Sequence, residues 1–467
     1  MAASPGRLVA GVDSSTQSVK VVVRDAETGA WVREARAPHP DGTAVDPAAW
    51  VAALDTAMAG VLDGVEAMSI AGQQHGMVVL DDSGEVIRPA LLWNDTRSAP
   101  DAADLVAELG GPGAWADAVG SVPVAAFTVS KIRWLARNEP EHAARVASLM
   151  LPHDYLTWLL AGRPEAAVTD RGEASGTGYW SPAAGEYRRD LVDLALGHVP
   201  ALPMVAGPGE AIGETANGIV LGPGTGDNMG AALALDVRPG DVVVSLGTSG
   251  TAFAGSSLPT ADASGLVAGF ADATGRFLPL VCTLNAARIL TSTAAMLGVD
   301  LDGLAALALS AEPGSGGLTL LPYFDGERTP NLPDARGSLH GITRDNLTSS
   351  NIARASMEGM FGGLADAVDA LIAVGVVPAR ILLVGGAAAN PAVAAVAATM
   401  FPVDVEVPPP GEYVADGAAR QAAWVRSGAV EPPAWSDLRD GATRRMPAAP
   451  VARIREQFAD ARDRLYP

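Results

Sequence analysis

Gly240–Ser256 reads GDVVVSLGTSGTAFAGS: an apolar run, a turn of small hydroxyl residues, then a second apolar run. Leu8–Val32, LVAGVDSSTQSVKVVVRDAETGAWV, has the same plan, strand, turn, strand, turn, strand. Val9, Val19, Val21 and Val23 give the β-branched signal, and the ETG triplet makes the next turn. The chain therefore starts over near its middle. Ala379–Phe401, ARILLVGGAAANPAVAAVAATMF, then reads as a strand, a Gly-Gly turn and a helix. This echo predicts an α/β protein of two domains, residues 1–238 and 239–467, divided near the VRPGD stretch.

Between the two hairpin regions the periodicity changes. DPAAWVAALDTAMAGVLDG predicts an amphipathic helix with Pro47 in its first turn and Asp46 as its cap. VEAMSIAGQQHGMVVLDDSGEVI reads as strand, loop, strand, hairpin, and helices dominate from Asp101 to about Arg163.

The length of 467 residues is too great for one ordinary core, and 48% hydrophobic residues suffice for two. A formal charge of -21 disfavours nucleic acid and anionic membranes as partners. It leaves anionic ligands open, because backbone dipoles outweigh net charge inside a site. Cys282 is the single cysteine, so the chain cannot build a disulfide framework or a paired-cysteine zinc site. With no long apolar segment at MAASPGRLVAGVD or elsewhere, the expectation is a cytoplasmic protein without signal peptide or membrane span. Lysine occurs only at Lys20 and Lys131, which singles out both.

Several short stretches carry candidate chemistry. In GVDSSTQSVK the turn around Ser15 and Thr16 exposes N–H groups that suit phosphate oxygens. Asp13 at its lip suits Mg²⁺, directly or through water, and Lys20 suits phosphate charge. From this stretch alone a plain β-hairpin is the better reading. SLGTSG, with Thr248, is a second turn of that kind, without Walker spacing and without a following lysine. In LVGGAAAN, Gly386 suits close approach by an adenine and Asn390 suits a base or phosphate contact; tight strand–helix packing explains the same glycines. AGQQHG carries Gln74 and His75 in a Gly-bounded loop, suited to polyol hydroxyls or simply to a satisfied surface histidine. LLWNDTR adds Trp93, Asn94, Asp95 and Arg97, either a sugar-type site or an ordinary turn. In LLPYFDGERTP, Asp325, Glu327 and Arg328 are expected to pair with one another in a structural role.

GTGDNMGAALAL places Asp227 and Asn228 where a loop becomes a helix. Asp227 reads as an N-cap or as a general base. Phosphoryl transfer needs an aligned hydroxyl, a carboxylate for its proton and charge neutralisation around the phosphate. The helix macrodipole is expected to keep Asp227 ionised, with Asn228 or Thr225 free to cap.

The order of these stretches resembles the FGGY family of carbohydrate kinases over nearly the whole chain, most closely its xylulokinase branch. GQQHG, LLWNDTR, LPHDYLTWLLAG and LPYFDGERTP carry the resemblance to that branch. It implies two domains of the actin/Hsp70/hexokinase (ribonuclease H-like) type with an interdomain cleft. It implies transfer of the γ-phosphate of MgATP to the terminal hydroxyl of D-xylulose, giving D-xylulose 5-phosphate and ADP. By motif, Asp227 matches the base and, with Gln74, His75 and Asn228, a sugar contact, beside Trp93 and Asn94. Asp13, with Ser15, Thr16 and Lys20, matches the first phosphate loop and metal region. Thr248 matches the second phosphate loop, and Gly386 with Asn390 the adenosine end. The first loop departs from the family as DSSTQS, the adenosine loop as GGAAAN, and Gln74 stands where methionine is frequent. The implied partners are a small sugar and ATP, and a homodimer is compatible with them. The alternatives are a kinase of D-ribulose, L-xylulose or a polyol, and a non-catalytic sugar sensor on the same fold.

Overall fold

The computed structural model describes residues 7–435 and 443–466. Met1–Gly6, on which the reading of the N-terminus partly rests, lie outside the described residues. The chain forms two compact units, each an α/β layer structure with a mixed sheet. Unit one comprises Met1–Val237, Ser257–Leu278 and Gly411–Asp440, and unit two the rest. The chain thus enters unit one three times: Ser257–Leu278 and Gly411–Asp440, placed by sequence with the second half, cluster with the first.

The sheet of unit one runs in the order Gly213–Glu214, Val220–Leu221, Val65–Gly72, Leu8–Ser14, Ser18–Asp25, Trp31–Pro38. Leu8–Ser14 pairs antiparallel with Ser18–Asp25 and parallel with Val65–Gly72. Alternation along these strands feeds two faces. Ala10, Val12, Met68 and Ile70 pack in one core with Trp50 and Leu54 of the Pro47–Met58 helix. That helix starts as its sequence predicts, with Asp46 Oδ1 accepting from Ala48 N at 2.9 Å. Val9 and Ala67 face the other way, against Ala419, Ala422 and Ala423 of the Tyr413–Ser427 helix. Asp416 on that helix forms a buried ion pair of 2.6 Å with Arg24 of the sheet. Trp50 is wholly enclosed, so truncating it to alanine costs about 3–5 kcal/mol.

In unit two, Asp241–Leu246 pairs antiparallel with Gly250–Ala254 and parallel with Arg380–Val384. Arg380 clamps this sheet by bonding both oxygens of Asp241, at 2.8 and 3.0 Å. The long Ser349–Ala373 helix, capped by Thr348, supplies much of the core through Met357, Phe361, Leu364 and Leu371. Among the described residues no single helix is long and apolar enough to cross a membrane.

Candidate active site

Three parallel strand ends in unit one bring distant sequence stretches together. Asp13 lies beside Ala71 across the Leu8–Ser14/Val65–Gly72 pair. On the other edge of Val65–Gly72, the short strand Thr225–Gly226 pairs with Ala71 and Gly72. The turn after Asp13, the loop Gln73–His75 and the helix opening at Asp227 therefore leave the sheet at one end. The carboxyl ends of parallel strands are where α/β proteins place ligands.

Asp227 is the first residue of the Asp227–Ala234 helix, whose N-cap is Gly226 with no side-chain cap bond. The capping roles considered for Asn228 and Thr225 are therefore not taken, and Asp227 is not the cap itself. Its Oδ1 accepts from Asn228 N at 2.7 Å and from Asn228 Nδ2 at 2.8 Å. Asn228 Nδ2 also donates to Gln74 Oε1 at 3.1 Å. Burial raises the Asp227 pKa to about 7; the bond from Asn228 N opposes this and the Asp13 charge adds to it. This corrects the expectation from the macrodipole: desolvation and a neighbouring acid outweigh the helix end. A carboxyl poised near neutrality is what general-base work requires.

Asp13 is almost fully buried and accepts a hydrogen bond from Ser15 Oγ. Burial raises it to about 6, against the Ser15 bond and the Lys20 charge. Lys20, opposite Asp13 across the hairpin, bonds Glu412 Oε2 at 2.5 Å. The sequence assigns Lys20 to phosphate; here its ammonium is engaged by an acid 392 residues away. Thr16 Oγ1 accepts from Trp93 Nε1 at 2.8 Å, which ties the LLWNDTR turn to the first hairpin. Asn94 beside it is half-buried, and its Oδ1 has no bonding partner. Asp95 has a structural place, bonding Thr43 Oγ1 and Arg97 Nε, each at 2.8 Å.

His75 adopts φ of 68°, a left-handed conformation that a non-glycine residue holds only when its surroundings fix it. Its Nδ1 donates to Gly176 O at 2.6 Å, and its ring stacks on Phe127 at 4.9 Å. Its carbonyl accepts from Thr128 Oγ1 at 3.2 Å and from Lys131 Nζ at 3.1 Å. Lys131 is completely buried and also donates to Ala126 O; burial lowers its pKa to about 7. The second rare lysine thus anchors the loop that presents Gln74 and His75. The side-chain amide of Gln73 and the Nε2 of Gln74 are buried without partners in the same loop.

Sequence reasoning missed a set of buried groups beneath this site. His153 and Asp154 belong to the LPHDY stretch, quoted for resemblance and given no role. Asp170 caps the Arg171–Ser175 helix and accepts from Thr225 Oγ1 at 3.2 Å. Glu173 is fully buried with neither oxygen bonded, and burial pushes its pKa well above the carboxylate range, with Asp170, Asp154 and Asp227 adding to the shift. It lies against the start of the Asp227 helix, since a Cβ on Gly226 would come within 2.7 Å of its Oε1 and 3.0 Å of Gln74 Cγ. The D-x-x-E spacing of Asp170 and Glu173 is a helix-start signal that was available in the sequence.

In unit two, Thr248 is exposed in the turn between Asp241–Leu246 and Gly250–Ala254. Gly386 opens the Gly386–Ala389 turn and is also exposed, with no atom within 4 Å of a Cβ built on it. Asn390 Oδ1 caps the Pro391–Ala398 helix by accepting from Ala392 N at 2.9 Å. Asp325, Glu327 and Arg328 do not pair side chain to side chain as expected. Glu327 instead accepts from Leu284 N at 2.7 Å and Asn285 Nδ2 at 2.9 Å, and Asp325 faces Arg288 at 3.4 Å.

Residues 8–230 match the N-terminal domain of the FGGY family of carbohydrate kinases, and residues 242–425 match its C-terminal domain. The chain belongs to that family. It is 44% identical over 444 residues to the xylulose kinase of Streptomyces coelicolor, covering 92% of this chain and 90% of that one. The crystal structure of the xylulose kinase from Bifidobacterium adolescentis superposes with a TM-score of 0.91 at 46% identity, over 98% of this chain and 100% of that one. A crystal structure from Brucella ovis, described as that of a xyloylose kinase, gives 0.87 at 28% identity, over 98% and 99%. Membership carries with it ATP as phosphoryl donor and a sugar as acceptor.

Proposed function

We propose that this chain is a D-xylulose kinase of the cytoplasm, forming D-xylulose 5-phosphate and ADP. Identities of 44% and 46% over nearly whole chains to xylulose kinases support this acceptor over other sugars. The observation that carries the chemistry is Asp227: a half-buried carboxyl with a pKa of about 7, linked through Asn228 to Gln74.

In this reading Gln74, His75 and Asn228 hold the sugar by its hydroxyls, with Trp93 and Asn94 beside them. Asp227 accepts the proton of the terminal hydroxyl as that oxygen attacks the γ-phosphorus. Phosphoryl transfer needs little else from protein than alignment and charge compensation. Ser15, Thr16, Lys20 and Thr248 are the proposed phosphate contacts, and Gly386 and Asn390 the proposed nucleoside contacts. Asp13 fits a Mg²⁺ ligand: it is a buried carboxylate at the lip of the first hairpin turn. Among the described residues no group of three or more acidic, histidine or cysteine side chains forms a metal cage. When bound there, Mg²⁺ supplies positive charge to the phosphate oxygens.

ADP release measured over D-xylulose, D-ribulose, L-xylulose and polyols tests the assignment. The reading requires the highest kcat/KM with D-xylulose; a higher value with another acceptor replaces the substrate, and hydrolysis indifferent to every sugar removes the function.

A further inference from the structure

His153 is the second residue of the Pro152–Leu160 helix and has no exposed surface. Its Nε2 lies 3.3 Å from Asp154 Oδ1 and 3.5 Å from Asp170 Oδ1. Burial alone would discharge the imidazole, but the two carboxylates outweigh it and raise its pKa. A buried imidazole set beside two buried carboxylates depends on them, and removing one member of such a set is costly.

What touches the rest of the residue is more informative. Gly72, the last residue before the Gln73–His75 loop, sits where a Cβ would come 2.9 Å from His153 Cβ. Gly224, with φ of +83°, sits where a Cβ would come 2.6 Å from His153 Nδ1 and 2.7 Å from Ile70 O. Gly224 leads directly into Thr225–Gly226 and Asp227. His153 is thus wedged between the two segments: its backbone and Cβ meet the backbone that carries Gln74 and His75, and its imidazole meets the backbone that carries Asp227. Both segments lack a side chain at the point of contact. Asp170 closes the arrangement, since it faces His153 and also accepts from Thr225 Oγ1. Asp154 fixes its own helix start by accepting from Leu151 N at 2.9 Å.

We propose that His153, held between Asp154 and Asp170, is a positioning residue that sets the spacing between the Gln73–His75 loop and the Gly224–Asp227 segment. It contacts neither sugar nor nucleotide. It places the base at the hydroxyl of a sugar already held by Gln74 and His75, so the proposal rests on the kinase reading above. Misplacement by about 1 Å is enough to cost a reaction roughly 10²-fold in rate.

The test measures kcat for D-xylulose phosphorylation and, separately, the Kd of D-xylulose by calorimetry, in wild type, H153A, H153Q and T225V. H153A is expected to lose about 10²-fold in kcat while the sugar Kd changes less than about threefold. H153Q keeps a donor in reach of both carboxylates and is expected to recover at least about tenfold of that loss. T225V keeps the side-chain volume and removes only the bond to Asp170, so it remains a folded probe should H153A fail to fold. It is expected to lower kcat several-fold at unchanged Kd. Wild-type kcat in H153A or T225V overturns the proposal, as does a Kd that weakens in step with kcat. Absence of sugar-dependent turnover in the wild type overturns the kinase reading itself and the positioning role with it.

Discussion

Asn228 Nδ2 stands 3.1 Å from Gln74 Oε1 and 2.8 Å from Asp227 Oδ1. One carboxamide thus spans the loop proposed for sugar binding and the acid proposed as base. N228A removes that span and leaves Gln74 Oε1 buried. The expected result is a KM for the sugar raised about tenfold with kcat also reduced, since an unpaired buried polar group costs about 1–3 kcal/mol. Steady-state kinetics in D-xylulose at saturating ATP reads both constants.

Asp227→Ala takes away the proton acceptor and leaves the side chains of Gln74, His75 and Asn228 in place. The variant is expected to fold and to bind D-xylulose, and to lose kcat by about 10²–10⁴-fold, the usual worth of a positioned base. Calorimetric sugar binding and single-turnover kinetics check the two halves separately.

The raised pKa of Asp227 fixes the sign of two pH effects. The deprotonated acid is the working form, so kcat/KM falls as pH drops through about 7. The folded protein also holds a proton that the unfolded chain, with the ordinary carboxyl value of 3.8, has already released. The stability this gives is complete below the unfolded value and is lost as pH rises towards 7. D227N should therefore raise Tm at pH 8 and leave it nearly unchanged at pH 4. Thermal unfolding at those two values measures it.

Glu173 is read as a neutral acid, because burial and three neighbouring acids all oppose its charge. Replacement by the neutral isostere in E173Q is then expected to leave kcat within about threefold and the acid limb of the pH profile in place. A downward shift of that limb would mean that Glu173 is ionised in the working enzyme.

Lys20 and Glu412 are both partly exposed, and such pairs contribute about 0–1 kcal/mol. K20M is therefore expected to leave Tm nearly unchanged. If Lys20 turns to the nucleotide when ATP binds, K20M raises the KM for ATP several-fold; an unaltered KM leaves the lysine a surface contact.

The strands and turns of both hairpins were legible because their signals are local: β-branched runs broken by Ser, Thr and Gly. So was Asp46 as a helix cap, since a cap and its helix adjoin in sequence. The stretches carrying Gln74, His75 and Asp227 were legible for the same reason. What sequence did not disclose is long-range. Glu412 meeting Lys20, and the Tyr413–Ser427 helix covering the first sheet, depend on a chain return that no local pattern encodes. His153 and Glu173 were hidden differently. A charged residue in a short helix reads as solvent-facing, and only packing shows that these two are buried against the backbone leading to Asp227.

The most direct measurement is the phosphorus product formed from ATP and D-xylulose, followed by ³¹P NMR. The account predicts a phosphomonoester of the pentulose, D-xylulose 5-phosphate, appearing in step with ADP. Inorganic phosphate as the sole new signal, at a rate unchanged by the sugar, would contradict it.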